Sequence, residues 1–328
     1  MSITRAVLSV VLVLGLLCAP AAPEAQSVSR IGFLELTAAP PSVTPWRQGL
    51  LQGLADLGYV EGQNVVFVNR WAEGREDRLP DLAAELLRSK ADVVTSASTE
   101  AIIALRGLSK TIPIVMAPIS DPIGNGLVVS FPRPGGNVTG VTLYSNELAG
   151  KRLELLRQVA PKITRLAVLT QRDHPPSATF VKETEAAARA LGFRLHVVQT
   201  RATPEDIAKA FASMIKERDG GVIVQQTQSL NAHLPQLAEL ATRNRLPSVH
   251  ASRLFAQNGG LLAYGPSLST LGYRAAAYVD KILKGVKPAD LPVEQPTKFE
   301  FVINMKTAQT LGLAIPPAQL LMADQLIE

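Results

Sequence analysis

An α/β fold built from two lobes, each a parallel sheet flanked by crossover helices, is predicted by three observations. From Arg30 onward, short β-branched apolar runs alternate with longer segments of helical periodicity. The alternation runs through one half of the chain and then starts again. Between the halves, residues 118–144 carry four prolines and five glycines, which breaks the rhythm.

The elements follow in order. Residues 31–36 read as the first strand. The next segment puts Trp46, Leu50, Leu54 and Leu57 on one helical face, with Gly58 as its stop signal, and a strand at 65–69 closes the first βαβ unit. A helix burying Leu79, Leu82, Ala83, Leu86 and Leu87 follows, then a strand at 92–95, a helix at 99–108 and a strand at 112–117. After the break, an amphipathic segment at 147–159 opens the second half. Strands at 166–169, 194–198, 221–225 and 248–250 then alternate with helices at 178–191, 204–216 and 230–243. A strand at 261–264, a helix at 268–283 with Ala275, Ala276, Val279 and Leu283 on one side, a Pro-rich loop and a strand at 298–303 complete the reading. No low-complexity tract or short solenoid repeat is present.

Residues 1–25 have the layout of a cleaved secretory signal peptide: the lone cation Arg5, an uncharged apolar run to Cys18, and an Ala/Pro-rich stretch ending at Ala25. Cleavage fits after Ala21 or Ala25. The uncharged stretch approaches the length of a membrane span, but Pro20 and Pro23 argue against a continuous helix. Leu17 before Cys18 disfavours a lipid anchor there, because a lipoprotein peptidase site needs a small residue at that position. A periplasmic location is therefore expected. Cys18 is the only cysteine and is lost with the leader, so the mature chain has no thiol for a disulfide, a thiolate metal site or a nucleophile. About 300 residues remain, enough for two cores. The net charge of +5 is spread over scattered basic residues with little aromatic interleaving, which argues against nucleic acid. With 47% hydrophobic and 19% charged residues the chain is globular rather than disordered.

Parallel α/β sheets bind ligands beyond the carboxyl ends of their strands, where helix N-termini present unpaired N–H groups. In the first half those loops hold Thr37, then Ser96 to Thr99, then Ser120, Asp121 and Pro122. Small hydroxylated residues allow close approach to the backbone, although Ser98 or Thr99 alone could equally serve as a helix cap. Asp121 is the only acid at these loop ends; it is a candidate for a ligand ammonium group or a turn residue bonding its own backbone. The second-half loops hold Gln171 to Ser177, Thr200, Gln226 to Gln228 and His250 to Ser252, with Tyr264 near the last return. Catalytic constellations are missing: no HExxH, GxSxG, Walker A or full GxGxxG pattern occurs, and the four histidines lack metal-ligand spacing. No catalytic residue, metal or cofactor is therefore expected.

Six motifs carry a family resemblance: IPIV at 112–115, SDPIGNGLV at 120–128, RPGGNVTG at 133–140, KRLELL at 151–156, RAAAYVDKILKG at 274–285 and DLPVEQPTKFEFVIN at 290–304. On these the chain resembles the substrate-binding proteins of ABC transporters, in a group that includes aromatic amino-acid binders. The resemblance implies a type I periplasmic-binding-protein fold, in which two Rossmann-like lobes joined by three crossover segments close on a ligand. It implies an N-terminal lobe of 26–141 plus about 266–297 and a C-terminal lobe of 142–265 plus about 298–328. Ligand contacts are implied at Thr37, Ser96, Ser98, Thr99, Asp121, Tyr144 and Gln226. RPGGNVTG and DLPVEQPTKFE are expected in hinge and inter-lobe packing rather than in the pocket. The expected partners are a small solute such as an amino acid or related metabolite, and an inner-membrane ABC permease with its ATPase; a monomer is expected. A sensory module without transport and an exported enzyme built around Asp121 and His174 are the competing readings.

Overall fold

The computed structural model describes residues 28–37, 39, 44–143 and 148–328; the leader 1–25 and Tyr144 lie outside them. Two sheets organise the chain. The first is parallel throughout, in the order β2-β1-β3-β4-β5, with β1 at Ser29–Glu35, β2 at Val65–Trp71, β3 at Val93–Ser96, β4 at Ile114–Ile119 and β5 at Val138–Thr142. Alternation along β1 sends Ile31 and Phe33 to one face and Leu34 and Leu36 to the other. Helices α1 (Pro45–Asp56) and a later helix, Leu268–Leu283, cover the first face through Leu50, Leu54, Ala275 and Val279. Helices α2 (Leu79–Arg88) and α3 (Thr99–Leu108) cover the second through Leu82, Leu86, Ile102 and Leu105.

The second sheet has the order β12-β11-β10-β9-β8-β6-β7, with β6 at Arg165–Gln171, β7 at Arg194–Thr200, β8 at Val222–Val224, β9 at Ser248–His250, β10 at Leu262–Gly265, β11 at Glu300–Asn304 and β12 at Gln325–Ile327. On one face Leu166, Val168, Ile223 and Val249 meet α4 (Ala149–Val159) and α5 (Ser177–Ala190). On the other, Ala167, Leu169, Val222 and Val224 meet α6 (Pro204–Lys216) and, after the short α7 (Gln228–Asn231), α8 (Leu234–Arg243) and α9 (Arg253–Gln257). The helix Leu268–Leu283 is α10; α11 (Met305–Thr310) and α12 (Pro317–Met322) follow β11. The chain passes from the first sheet to the second after β5, returns between β10 and α10, and leaves again before β11.

Several expectations change. The Pro/Gly-rich break contains β5, whose Gly140 has φ +132° and lies so close to β4 that a Cβ would sit 2.3 Å from the Met116 carbonyl oxygen. The motif RPGGNVTG thus supplies a strand that only glycine lets dock. The DLPVE segment runs beside it: the Glu294 N–H donates to the Gly140 carbonyl at 2.9 Å and the Thr142 N–H to the Glu294 carbonyl at 2.9 Å. Leu57 is the C-cap of α1 and is exposed, not part of its buried face. The helix expected at 230–243 is two helices, α7 and α8, because Pro235 sits at the start of α8 and the chain restarts there. The pairing of β10 with β11 is antiparallel, because the chain re-enters the second sheet from the first instead of through a crossover helix.

Candidate functional site

Strands β1, β3, β4 and β5 of the first sheet and the parallel strands β6, β8 and β9 of the second end on the same cleft. Their carboxyl ends enclose a cavity of about 410 Å³, within the range of small-molecule sites. From the first sheet and its helices it is lined by Thr37, Ala39, Thr44, Trp46, Ala97 to Glu100, Pro118, Ile119 and Ser120; from the second by His174, Gln226, Thr227, Gln228, Asn231, Ser252 and Leu254.

The β3–α3 turn is the most fully built wall. Ser96 Oγ donates to the Leu34 carbonyl at 2.6 Å and accepts the Ser98 N–H at 3.1 Å, which ties the turn to β1. Ser98 caps α3 by accepting the Ala101 N–H at 3.2 Å, and its hydroxyl donates to Glu100 Oε2 at 2.8 Å. Capping Ala101 leaves the N–H groups of the first two helical residues, Thr99 and Glu100, without an intrahelical acceptor at the cavity wall. Opposite, Thr227 caps α7 by accepting the Leu230 N–H at 3.1 Å, and Gln225 Oε1 accepts the Gln171 N–H and the Ser177 hydroxyl at 3.0 and 2.8 Å. Asn231 lines the cavity, and its Oδ1 is buried with no hydrogen-bond partner among the described residues.

Among the described residues, hydrogen bonds cross the cleft at two places. Glu100 Oε1 and His174 Nδ1 lie 2.5 Å apart. Burial alone would raise the Glu100 carboxyl, but the hydrogen bond and charge of His174, with the Glu100 backbone and the Ser98 hydroxyl, together outweigh it and hold it below the usual carboxylate range. Glu76 nearby is raised, first by burial and then by the charge of Glu100. Deeper in, Gln228 Oε1 accepts the Leu36 N–H at 3.2 Å while its Nε2 donates to Glu35 Oε2.

The structure brings Thr37, Ser98, Thr99 and Gln226 to one cavity. Ser96 stands one layer behind and organises the turn. Asp121, at φ +45°, turns its carboxylate back to accept the Gly124 N–H at 2.9 Å and is not among the described lining residues; the short Asp-Pro-x-Gly turn satisfies it locally. Tyr144 lies outside the described residues. Tyr264 packs on Phe299 and Phe301, away from the cavity. Sequence reasoning missed Trp46 as a wall, having read it only as a helix-face residue, and missed the pairings of Gln228 and His174, whose partners are 193 and 74 residues away. Among the described residues no group of three or more His, Cys, Asp or Glu could hold a metal, and no helix is long and apolar enough to cross a membrane.

The family model for ABC transporter substrate binding proteins matches residues 36–327. The chain is 26% identical over 291 residues to the tyrosine-binding protein of Clostridioides difficile, covering 88% of this chain and 83% of that protein. The crystal structure of an ABC domain in complex with L-Trp from Streptococcus pneumoniae shares 29% identity, with a TM-score of 0.85 over 92% of this chain and 100% of that one. The ligand-free, open structure of a Clostridium difficile substrate binding protein with adhesive properties gives 25% identity and a TM-score of 0.66 over 88% and 97% of the two chains. With the cavity at the mouth of two Rossmann-like lobes, the fold is that of the type I periplasmic binding proteins. The chain belongs to the ABC transporter substrate binding protein family, whose members bind small ligands.

Proposed function

We propose that this chain is the extracytoplasmic receptor of an ABC importer, which captures an amino acid or related small metabolite between two lobes, closes by hinge motion and delivers it to a permease. The lobes are 26–141 with about 266–297, and 142–265 with about 298–328. The observation that carries the reading is the cavity itself, closed by hydrogen bonds that cross from one sheet's loops to the other's. The higher TM-score to the L-Trp complex than to the open, ligand-free relative is consistent with a closed arrangement.

The wall chemistry suits an amphipathic zwitterion. A polar ligand group fits the start of α3, beside the hydroxyls of Ser98 and Thr99. The Asn231 side chain lines the same wall, and an apolar or aromatic side chain fits Trp46, Ile119 and Leu254. Thr37 and Gln226 complete the polar set. Binding energy alone drives such a receptor, since a micromolar dissociation constant needs about 8 kcal/mol.

A calorimetric screen of the mature protein against amino acids, short-chain acids and sugars tests this. An amino acid is expected to bind saturably and be recovered intact, and Trp46→Ala is expected to weaken it about tenfold or more. Turnover of the solute, or binding confined to sugars, would overturn the reading.

A further inference from the structure

Glu35 is the most unusual carboxyl in the cleft. It closes β1 at 4% exposure, yet among the described residues Oε1 has no hydrogen-bond partner. Among the described residues, the charged neighbour that bears on it is Arg47, which acts through space: Nη2 is spent on Asn69 Oδ1 at 2.5 Å, Nη1 has no partner there, and the guanidinium stacks on Phe33 at 3.8 Å. An ionised carboxylate held this way would bury a charge with one oxygen unsatisfied, which is far costlier than burying the neutral acid.

What seals Glu35 comes from the other side of the cleft. The Leu36 N–H fixes the orientation of the Gln228 amide by donating to its Oε1, and this turns the Nε2 donor onto Glu35. Parting of the lobes would withdraw Gln228 and admit water to the carboxyl, so that the same group would be sealed in the closed protein and solvated in the open one.

We propose that Glu35 is a positioning residue for ligand capture: it takes up one proton from solvent as the cleft closes, and its neutral carboxyl and Gln228 form a latch that holds the closed state. No bond other than O–H forms; the proton comes from bulk and returns there on opening. Ligand affinity therefore depends on pH. In the closed protein burial raises the Glu35 carboxyl from 4.5 to about 8, opposed in part by the Gln228 hydrogen bond, then by Arg47 and by the Ala97 backbone. The closed state binds more protons, so affinity rises as pH falls from about 8 toward 4.5, by at most about tenfold per unit. Glu61, which acts on Arg47, completes the charged surroundings.

The test does not need the natural ligand. Glu100→Cys and His174→Cys, in a chain that begins after Cys18 and so holds no other cysteine, are joined by a short bis-maleimide to hold the lobes shut. The carbon-13 shift of the Glu35 carboxyl, assigned by its loss in Glu35→Gln, is followed from pH 4 to 9.5 before and after linking. A titration near pH 8 after linking and in the ordinary carboxylate range before it is expected; ordinary titration in the linked protein overturns the latch. A second arm, resting on the function proposed above, measures L-tryptophan binding by calorimetry in two buffers of different ionisation enthalpy at pH 7. Uptake of close to one proton by the parent and none by Glu35→Gln, whose affinity is flat from pH 6 to 8, is expected; binding without proton uptake contradicts the latch. Absence of L-tryptophan binding would count against that ligand class and leave the linked titration to decide on Glu35.

Discussion

Replacing Gly272 with valine is expected to cost about 3 kcal/mol or more of stability, the range for forcing side-chain atoms into a filled interface, and to weaken solute binding as well. Helices α1 and α10 cross in backbone contact. A Cβ on Gly272 would lie 1.8 Å from the Trp46 carbonyl oxygen, and one on Gly49 would lie 1.9 Å from the Ser269 carbonyl oxygen. Both partners are backbone, so no rotamer change relieves the clash; the helices must separate. Separation pulls Leu50, Leu54, Ala275 and Ala276 apart on one face of the first sheet. It also shifts Trp46, which is 5% exposed and forms part of the cavity wall, so packing and affinity fall together. Denaturant unfolding and calorimetry read the two effects. Gly107→Ala is the control: it lies exposed on α3 with open space around its Cβ position, and the better helix former is expected to leave stability unchanged or raise it by up to about 1 kcal/mol. Parent-like stability in Gly272→Val would mean that the two helices are not packed at backbone contact.

Arg152→Ala is expected to cost about 3 to 5 kcal/mol, from a cavity and a lost charged donor together. Arg152 heads the largest fully buried side chains, at 1% exposure in the middle of the second lobe's α4. Its Nε donates to the Tyr264 carbonyl at 2.8 Å, near the point where the chain leaves β10 to return to the first sheet. The guanidinium also bears on His250. Burial first, and the Arg152 charge second, depress that imidazole to about 3, so it stays neutral through the working range. Alanine therefore leaves a void, orphans a carbonyl beside a crossover, and lifts part of the restraint on His250. Arg152→Lys keeps the charge but not the guanidinium geometry and should recover only part of the loss. Equal unfolding midpoints for the parent and Arg152→Ala would contradict this account of the core.

Much of this architecture was legible because hydrophobic periodicity reports burial directly. Helices at Thr99–Leu108, Pro204–Lys216 and Leu268–Leu283, and the strand Ser248–His250, fall where the apolar pattern puts them. The pattern failed where backbone chemistry overrode it. β5 hides in a Pro/Gly-rich stretch, since its docking needs Gly140 rather than a run of β-branched residues. Pro235 divides a periodic segment that side chains alone would make one helix. At the site, the loops that end the strands could be read from the sequence, and Thr37, Ser98, Thr99 and Gln226 meet in one cavity because parallel strands deliver their carboxyl ends to one side. The cross-cleft partners could not. Glu35 and Gln228, or Glu100 and His174, become neighbours only when two separately folded sheets face each other, and no local spacing encodes that.

Hinge capture of a solute is the central claim, and small-angle scattering during a ligand titration tests it most directly. The protein from residue 26 onward is titrated with the tightest-binding solute from the screen while its radius of gyration and the chemical identity of the solute are followed together. A single decrease in radius that saturates with the calorimetric isotherm, with the solute recovered unchanged, is the predicted result. Saturation of binding with no change in radius, or conversion of the solute to a product, would contradict it.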